Sequence, residues 1–297
     1  MNVFVTGASG YVGSAVVAAL VRAGHQVTGQ HHAPGSEALV LGLGARAVRA
    51  ELGRFSELVP LLSQQDAVVH AAVDYQPPHD REAVDALLSG ARRAGRPYAI
   101  LYTSGVWVLG EQRAAAAEDA LADHPAAAVA WRVEHERHVL EAGGGKITSA
   151  VVRPGMVFGG RGGMFASWFE SALREGAAAF VGTGRQHWSH VHHEDLAELY
   201  RLVVERRASG IFHGVDGRPE LVQDSARAAS EAAGKGAVRA IPVEEARKTL
   251  GPVADALAMD QVVRSGRGRE VGWAPRHLGF SAEAQGSFRD WRERAAR

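Results

Sequence analysis

The stretch VFVTGASGYVGSAVVAAL, residues 3–20, decides the fold. Residues 3–7 are β-branched and aromatic and end at a glycine, which predicts a buried strand. Residues 14–24 have the apolar spacing of an amphipathic helix, and they stop at a glycine, as helices often do. Between strand and helix stand three glycines in the pattern G-x-x-G-x-x-G, namely Gly7, Gly10 and Gly13.

Each of these glycines has a physical task in a dinucleotide site. Gly7 allows the tight turn, Gly10 lets a pyrophosphate approach the backbone, and Gly13 lets the helix pack closely on the strand. The helix N-terminus then directs free N–H groups at the phosphates. The motif therefore predicts binding of NAD or NADP, and the choice between them stays open. Neither an acidic residue nor an arginine follows the second strand, where the sequence reads Gln30, His31 and His32.

Further along, short apolar runs alternate with helical segments. Five more strands are predicted, at residues 25–30, 45–50, 66–72, 98–104 and 147–154. Helices are predicted at residues 55–63, 80–94 and 126–142. This alternation favours an α/β fold, a Rossmann-type doubly wound parallel sheet covered by helices on both faces.

The regular alternation of strands and helices ends after Pro154. A glycine-rich loop is followed by predicted helices at residues 167–176, 194–207 and within 219–258, with short strands near 178–181, 210–213 and 238–242. We therefore expect an NAD(P)-binding Rossmann-type domain over residues 1–154. Residues 155–297 are expected to form a smaller, mostly helical substrate-binding lobe, from which the chain can cross back to the sheet.

Composition restricts the classes of function. The chain has 297 residues, with 33 basic and 33 acidic side chains, so no net charge draws it to nucleic acid or to an acidic membrane. It has no cysteine, which excludes disulfides, thiolate metal sites and a cysteine nucleophile. No apolar run approaches the roughly 20 residues of a membrane span. The N-terminus enters a strand without a signal-like segment, so a cytoplasmic protein is expected.

Several segments together carry a family resemblance: TGASGYVGS, DAVVHAA, ILYTSGVWVLG, VVRPGMVFG, HWSHVHHEDLAELY and GWAPR. In order and spacing they resemble the extended short-chain dehydrogenase/reductase family, which includes sugar-nucleotide epimerases and dehydratases. The resemblance implies a Rossmann-type sheet, a C-terminal substrate lobe, a cleft between them and a bound NAD(P). With the glycine motif it predicts the following cofactor contacts: Gly7, Ser9, Gly10, Tyr11, Val12, Gly13, His31, His32, Leu52, Ala71, Ala72, Val73, Thr103, Arg132, Pro154, Gly155 and Val157.

The family's catalytic residues are not matched. It typically uses a Ser or Thr together with a Tyr-x-x-x-Lys helix, in which the lysine lowers the pKa of the proton-exchanging tyrosine. None of the five tyrosines here has a lysine four residues later. One alignment of the helix puts Ala128 and Arg132 at the two positions, and another puts Trp131 and His135 there. The first keeps the spacing of a trailing glutamate, and in it Arg132 can reach the cofactor or simply face solvent.

Other side chains have to be considered for acid–base chemistry. Gly105 falls at the usual Ser/Thr position, but Thr103 and Ser104 come just before it. Asp74 and Tyr75 follow the fourth strand, at the edge where open α/β sheets bind ligands, although a capping aspartate and a packing tyrosine explain them equally well. The candidate catalytic residues are Ser104, Thr103, Tyr75, Asp74 and His190.

The histidine-rich segment and several aromatic residues complete the prediction. Histidine can replace a phenol as proton carrier, but the spacing of His190, His192 and His193 matches no metal-binding motif, so no metal is predicted. His192 and Asp195 are assigned a structural role. The predicted substrate pocket is lined by Trp107, Met156, Phe158, Met164, Trp168, His187 and Trp188.

These observations favour an atypical NAD(P)-dependent oxidoreductase or epimerase that acts on a small, partly apolar organic substrate. Two alternatives remain: a catalytically silent NAD(P)-binding regulator, and a non-redox isomerase, cyclase or lyase that reuses the cleft. The resemblance also implies a possible homodimer formed through helices flanking the sheet, including the helix at 126–142.

Overall fold

A seven-stranded parallel sheet forms the centre of the molecule. The computed structural model describes residues 1–160 and 162–295. Its main sheet has the strand order β12-β7-β5-β4-β1-β2-β3, and every pairing in it is parallel. The strands are β1 Asn2–Thr6, β2 Gln26–His31, β3 Arg46–Arg49, β4 Ala67–His70, β5 Tyr98–Thr103, β7 Ile147–Pro154 and β12 Gly210–Gly214. The predicted Rossmann-type fold is thus confirmed.

Helices cover both faces of this sheet, as the near-continuous apolar strands require. One face packs against α1 Tyr11–Arg22, α2 Ser36–Gly42 and α7 His193–Arg206. The other packs against α3 Val59–Leu62, α4 Pro77–Ala94 and α5 Trp131–Glu141.

The six strands predicted in the first half are all present, each within two residues of the expected bounds. The helices differ more at their ends. Helix α1 begins at Tyr11, three residues before the predicted start, because it follows directly on the glycine turn. The segment predicted as a helix at 55–63 is mostly a 3₁₀ turn, Leu52–Leu58, and only Val59–Leu62 is α-helical.

The lobe has its own aromatic core. Its helices are α6 Met164–Glu175, α8 Val222–Ala232, α9 Val243–Leu250, α10 Val253–Ala258 and α11 Phe280–Ala295. Short paired strands accompany them: β6 Gln112–Ala116 with β15 Gln261–Val263, β8 Met156–Phe158 with β11 His190–His192, β9 Ala177–Val181 with β14 Ala237–Ile241, and β10 His187–Trp188 with β13 Glu220–Leu221. Three of the four pairs are parallel and join segments distant in sequence.

The chain returns from the lobe to the main sheet. Strand β12 pairs with β7, so that Phe212 lies opposite Val152. Helix α7 packs on the same face as α1, and its Leu196, Leu199 and Val203 belong to the core beneath the sheet. The expected boundary at residue 154 therefore does not divide the two cores cleanly. Residues after it belong both to the core of the main sheet and to the aromatic core of the lobe. Among the described residues, no helix is long and apolar enough to cross a membrane.

Candidate active site

A cleft of about 320 Å³ opens at the carboxyl ends of the central strands. This is the edge at which open α/β sheets bind ligands. Its lining includes many predicted site residues: Tyr11, Val12, Ala71, Ala72, Val73, Tyr75, Thr103, Ser104, Trp107, Arg132, Pro154, Gly155, Met156, Val157 and Met164. Five further lining residues were not predicted: Gly105, Val106, Val129, Gly163 and Val253. The last comes from α10, a segment without any motif.

The glycine motif forms the turn that its spacing predicts. Gly7 has a positive φ of 61°, and a Cβ there would lie 2.8 Å from the Cα of Ala72. A Cβ on Gly13 would lie 2.1 Å from the carbonyl oxygen of Gly7. Gly10 donates its N–H to that same oxygen at 2.8 Å. The three glycines therefore allow β1, β4 and the first turn of α1 to approach one another closely.

Gln30 supports this turn from below. Its side-chain oxygen accepts the N–H of Gly7 at 2.8 Å, and its side-chain nitrogen donates to the carbonyl of Ala50 at 2.6 Å. Gln30 stands at the end of β2, where a dinucleotide site commonly has a group that recognises the ribose or its phosphate. The buried amide is instead occupied by backbone groups.

The other residues predicted at the nucleotide end lie outside the cleft lining. The glycines Gly7, Gly10 and Gly13 lie with Ser9 in the turn itself, beside the lining residues Tyr11 and Val12. His31 is buried and its Nδ1 lies 3.1 Å from the hydroxyl of Ser36. His32 is exposed, whereas Leu52 is buried in the core beneath α4.

Three groups meet at the end of β5. Arg132 donates from Nη1 to the carbonyl oxygen of Thr103 at 2.6 Å. Tyr200, from α7, donates its hydroxyl to Oγ1 of Thr103 at 2.9 Å. Burial raises the pKa of Tyr200 well above that of an ordinary phenol, which keeps it a hydrogen-bond donor. Tyr200 was not predicted, because no motif connects it with Thr103.

Ser104 has the most unusual polar group of the cleft. The residue is only 9% exposed, and its Oγ has no hydrogen-bond partner among the described residues. Buried hydroxyls are nearly always paired, since an unpaired one costs on the order of 1–3 kcal/mol. A group in this state at the edge of a cleft is suited to bind a ligand.

Helix α5 presents Arg132 to the cleft and turns His135 away from it. His135 lies within the protein, where its Nδ1 donates to the carboxylate of Asp80 at 2.6 Å. That carboxylate also accepts from the hydroxyl of Tyr102 at 2.9 Å and from Nε2 of His70 at 3.1 Å. Ala128 is half-buried and does not line the cleft, although its neighbour Val129 does.

Asp80 is the charged centre of this buried group. Burial alone raises the pKa of Asp80, but the hydrogen bonds from His135 and His70 outweigh that effect and hold it well below its usual range. Asp80 is therefore an ionised carboxylate that only accepts hydrogen bonds.

A second chain of contacts connects Asp80 to the wall of the cleft. The hydroxyl oxygen of Thr6 accepts the N–H groups of Ala71 and Ala72 at 2.9 and 3.0 Å. With both lone pairs used, the hydroxyl donates its proton to Nδ1 of His70, 2.8 Å away. His70 then donates from Nε2 to Asp80. The network thus fixes the two alanines that line the cleft after β4.

Asp74 does not face the cleft. Its carboxylate accepts the N–H of Gln76 at 2.9 Å and lies 2.8 Å from Nδ1 of His79, so it holds the turn before α4. These contacts match the capping role, and Asp74 is not among the residues that line the cleft. Tyr75 lines the cleft with a φ of 56°, unusual for a bulky side chain, and is 58% exposed.

Five predicted site residues of the lobe also lie away from the cleft. Phe158 and Trp168 belong to the aromatic core of the lobe, where Trp168 stacks on Trp188 at 5.4 Å between ring centroids. The indole N–H of Trp188 donates to the carbonyl of Leu257. Assigning these three side chains to the substrate pocket was wrong, because β8, α6 and β10 place them in the aromatic core of the lobe.

The two histidines of the same segment also differ from expectation. His187 lies 2.9 Å from the carboxylate of Asp260, which also accepts the backbone N–H of His187. His190 is fully buried among Phe158, Phe165 and Phe280, so it cannot exchange protons with a substrate. Burial lowers the pKa of His190 to about 4.

His192 and Asp195 occupy the start of α7. Asp195 accepts the backbone N–H groups of Arg276 and His277 at 2.9 and 2.8 Å, which attaches the GWAPR segment to the helix. His192, Asp195 and His277 place potential ligand atoms within 4.8 Å of one another. The Asp195 oxygen that faces His277 already accepts these hydrogen bonds, in agreement with the structural role expected from the sequence.

Comparison with known proteins agrees with this geometry. The sequence model of the NAD-dependent epimerase/dehydratase family matches residues 3–213. The chain belongs to this family. Its sequence has no Tyr-x-x-x-Lys pair at any position.

Relatives of this epimerase/dehydratase chain extend over nearly its whole length. An uncharacterised protein of Saccharomyces cerevisiae is 27% identical over 97% of this chain and 99% of its own. The 4-hydroxy-2-methyl-3-oxo-4-farnesyl-3,4-dihydroquinoline-1-oxide ketoreductase of Stigmatella aurantiaca is 28% identical over 83% of this chain and 78% of its own. A human epimerase family protein, solved with NADPH, is 22% identical, covers 98% of this chain and 100% of its own, and superimposes with a TM-score of 0.79.

Proposed function

We propose that this protein is an NAD(P)-dependent oxidoreductase that interconverts a carbonyl and an alcohol in a small, partly apolar organic substrate. The observation that carries the proposal is the unpartnered Ser104 hydroxyl, buried at the end of β5 in the same cleft that Tyr11 and Val12 of the glycine turn line. A nucleotide site and a vacant hydrogen-bond donor in one cleft are what carbonyl reduction requires.

The described residues fit a dinucleotide. The positive φ of Gly7 and the close backbone approach at Gly13 shape the glycine turn, and α1 begins directly after it at Tyr11, so that its free N–H groups would face a bound phosphate. Ala71, Ala72, Thr103 and Pro154 would border the same ligand. When bound, NAD(P) donates or accepts the hydride, and the protein orients the partners.

The substrate oxygen is assigned to Ser104. This hydroxyl accepts nothing and donates to nothing within the described protein, so its proton is available to a carbonyl oxygen. Among the described residues that line the cleft, Arg132 alone carries a permanent charge, and it would stabilise negative charge that develops on that oxygen. Thr103 accepts the hydrogen bond from Tyr200, and its own hydroxyl would be a second proton donor at the same edge of the sheet.

The Stigmatella relative is by name a ketoreductase, which supports this reaction class over epimerisation. An absent tyrosine–lysine pair is compatible with it, since a water molecule could supply the proton through the Ser104 hydroxyl, which takes the place of a phenol, while the permanently charged Arg132 stabilises the developing negative charge.

A cofactor titration tests the proposal. Binding of NADH and NADPH is measured by fluorescence, followed by cofactor oxidation with a panel of aldehydes and ketones. Gly10→Leu is expected to weaken cofactor binding by at least about tenfold, because a Cβ at Gly10 already lies 3.0 Å from the Gly7 oxygen. Gly42→Leu is the matched control, since its Cβ meets nothing within 4 Å.

Ser104→Ala provides the second arm. It is expected to lower kcat by about 10²-fold with little change in cofactor affinity, the size typical for loss of one oxyanion donor. Absence of binding of either cofactor at millimolar concentration would refute the proposal. Binding without turnover across the panel would instead favour a nucleotide-binding regulator.

A further inference from the structure

Most of the described residues that line the cleft have apolar side chains. Met156 is 8% exposed at the inner end, and Trp107, Met164 and Val253 are partly exposed further out. Tyr75, at 58% exposed, stands at the rim. We call Tyr75, Trp107, Met164 and Val253 the apolar wall. They come from four separate segments, so their meeting is a property of the fold rather than of one hydrophobic run.

Charge is scarce in the same cleft. Of the described residues that line it, Arg132 alone is charged, and one of its nitrogens is already bonded to the Thr103 carbonyl. A sugar nucleotide carries a diphosphate, which proteins bind with several cations or backbone donors. Among the described lining residues, the polar groups of Thr103, Ser104 and Arg132 lie together at the end of β5, and the apolar wall carries no charge.

Tyr75 is held in a strained conformation. Its φ of 56° places a bulky residue in the left-handed region, at a cost of about 1–2 kcal/mol. Asp74 maintains this turn through its contacts with Gln76 and His79. The strain keeps an aromatic ring exposed beside an apolar cleft, where burial of the ring by a ligand would be favourable.

We propose that the substrate is a carbonyl compound with an extended hydrocarbon chain, whose carbonyl lies at Ser104 and whose chain leaves the cleft along the apolar wall. This inference rests on the proposed function and specifies its substrate class. It assigns Tyr75 a role in binding the chain rather than in proton donation.

A homologous series of straight-chain 2-alkanones tests the proposal. KM is expected to fall by about fourfold for each added methylene while the chain lengthens along the wall, and then to level off. UDP-glucose at millimolar concentration is expected not to compete. Binding is also measured without turnover, by displacement of the neutral fluorophore 1-aminoanthracene with the same ketones.

Three variants separate the ring from its hydroxyl and from general surface effects. Tyr75→Asn, which tolerates the left-handed backbone, should flatten the chain-length dependence. Tyr75→Phe should keep the chain-length dependence of KM, because the ring and not the hydroxyl makes the contact. Leu41→Asn, a change of similar character at a 54%-exposed leucine outside the cleft, should leave that dependence unchanged. Val253→Thr, which preserves shape, gives a second perturbation of the wall.

The outcomes differ for the two proposals. Turnover of ketones with a KM independent of chain length, or competition by UDP-glucose, overturns the substrate class while the oxidoreductase remains. A flattened chain-length dependence in Tyr75→Phe, or an unchanged one in Tyr75→Asn, overturns the role given to Tyr75. Failure to bind NADH and NADPH, together with no fluorophore displacement by any ketone, overturns both.

Discussion

Buried histidines occur in both halves of the molecule, and their surroundings are opposite. Beneath the cleft, His70 and His135 each place a ring nitrogen on the ionised carboxylate of Asp80. In the lobe, His190 lies among three phenylalanine rings, and neither of its nitrogens has a hydrogen-bond partner among the described residues. Its nearest carboxylate oxygen, on Glu220, is 3.9 Å away.

The difference shows how each half uses polar groups. Around Asp80 the hydrogen bonds extend through Thr6 to Ala71 and Ala72, so the buried polar side chains hold the wall of the cleft in place. His190 positions nothing and costs stability whenever it is protonated. The comparison predicts that Asp80 cannot be replaced without loss, whereas His190 can.

Asp80→Asn should have the largest effect. The substitution removes the charge of a buried carboxylate, so that His70, His135 and Tyr102 lose their ionised acceptor. Such a loss typically lowers the free energy of unfolding by about 3–5 kcal/mol. Urea unfolding measures this change. Asp85→Asn, on the same helix but half exposed and bound to Arg81 and His138, is the control, with an expected loss below about 1 kcal/mol. Equal losses in the two variants would show that the Asp80 group is not a stabilising network.

His190 should make stability depend on pH. Its folded pKa of about 4 lies below the ordinary 6.5, so protons bind more readily to the unfolded chain. The free energy of unfolding should therefore be fully retained above pH 6.5, where His190 is neutral in both states. It should decrease as the pH falls toward 4, by about 3 kcal/mol at most.

The variant His190→Met should reduce that loss. Burial also depresses the pKa of His192 to about 3 and that of His213 to about 4, so part of the pH dependence should remain. Unfolding free energies at pH 7 and pH 4.5 are compared with those of His124→Met, a change at an exposed residue. An unchanged pH slope in His190→Met would contradict the aromatic environment described for His190.

The two regions also differ in how far the sequence predicted them. Cleft residues such as Ala71, Thr103 and Gly155 could be predicted because they follow buried strands, and parallel strands bring their carboxyl ends to one edge. The apolar periodicity that defines the strands is local, so it can be read from neighbouring residues.

Contacts over long sequence separations could not be predicted in this way. Asp80 meets His135 across 55 positions, and Thr103 meets Tyr200 across 97. In the lobe, Phe158, Trp168 and Trp188 were assigned to the pocket because aromatic side chains near a glycine-rich loop suit a cleft wall. The same side chains suit a core equally well, and the strand pairs that decide between the two join distant segments.

Tyr200→Phe should have the smallest effect on stability. It tests the comparison at Thr103, where a hydrogen bond from a buried side chain reaches the cleft. Loss of one neutral hydrogen bond typically costs about 1 kcal/mol. Because the Tyr200 hydroxyl also orients Oγ1 of Thr103, kcat should fall by about tenfold with KM little changed. Tyr98→Phe is the matched control: its buried hydroxyl donates to the Leu62 carbonyl, far from the cleft lining, so it should lose similar stability and keep kcat. If both variants keep full kcat, Thr103 needs no partner to act, and Tyr200 belongs with the structural groups beneath the sheet.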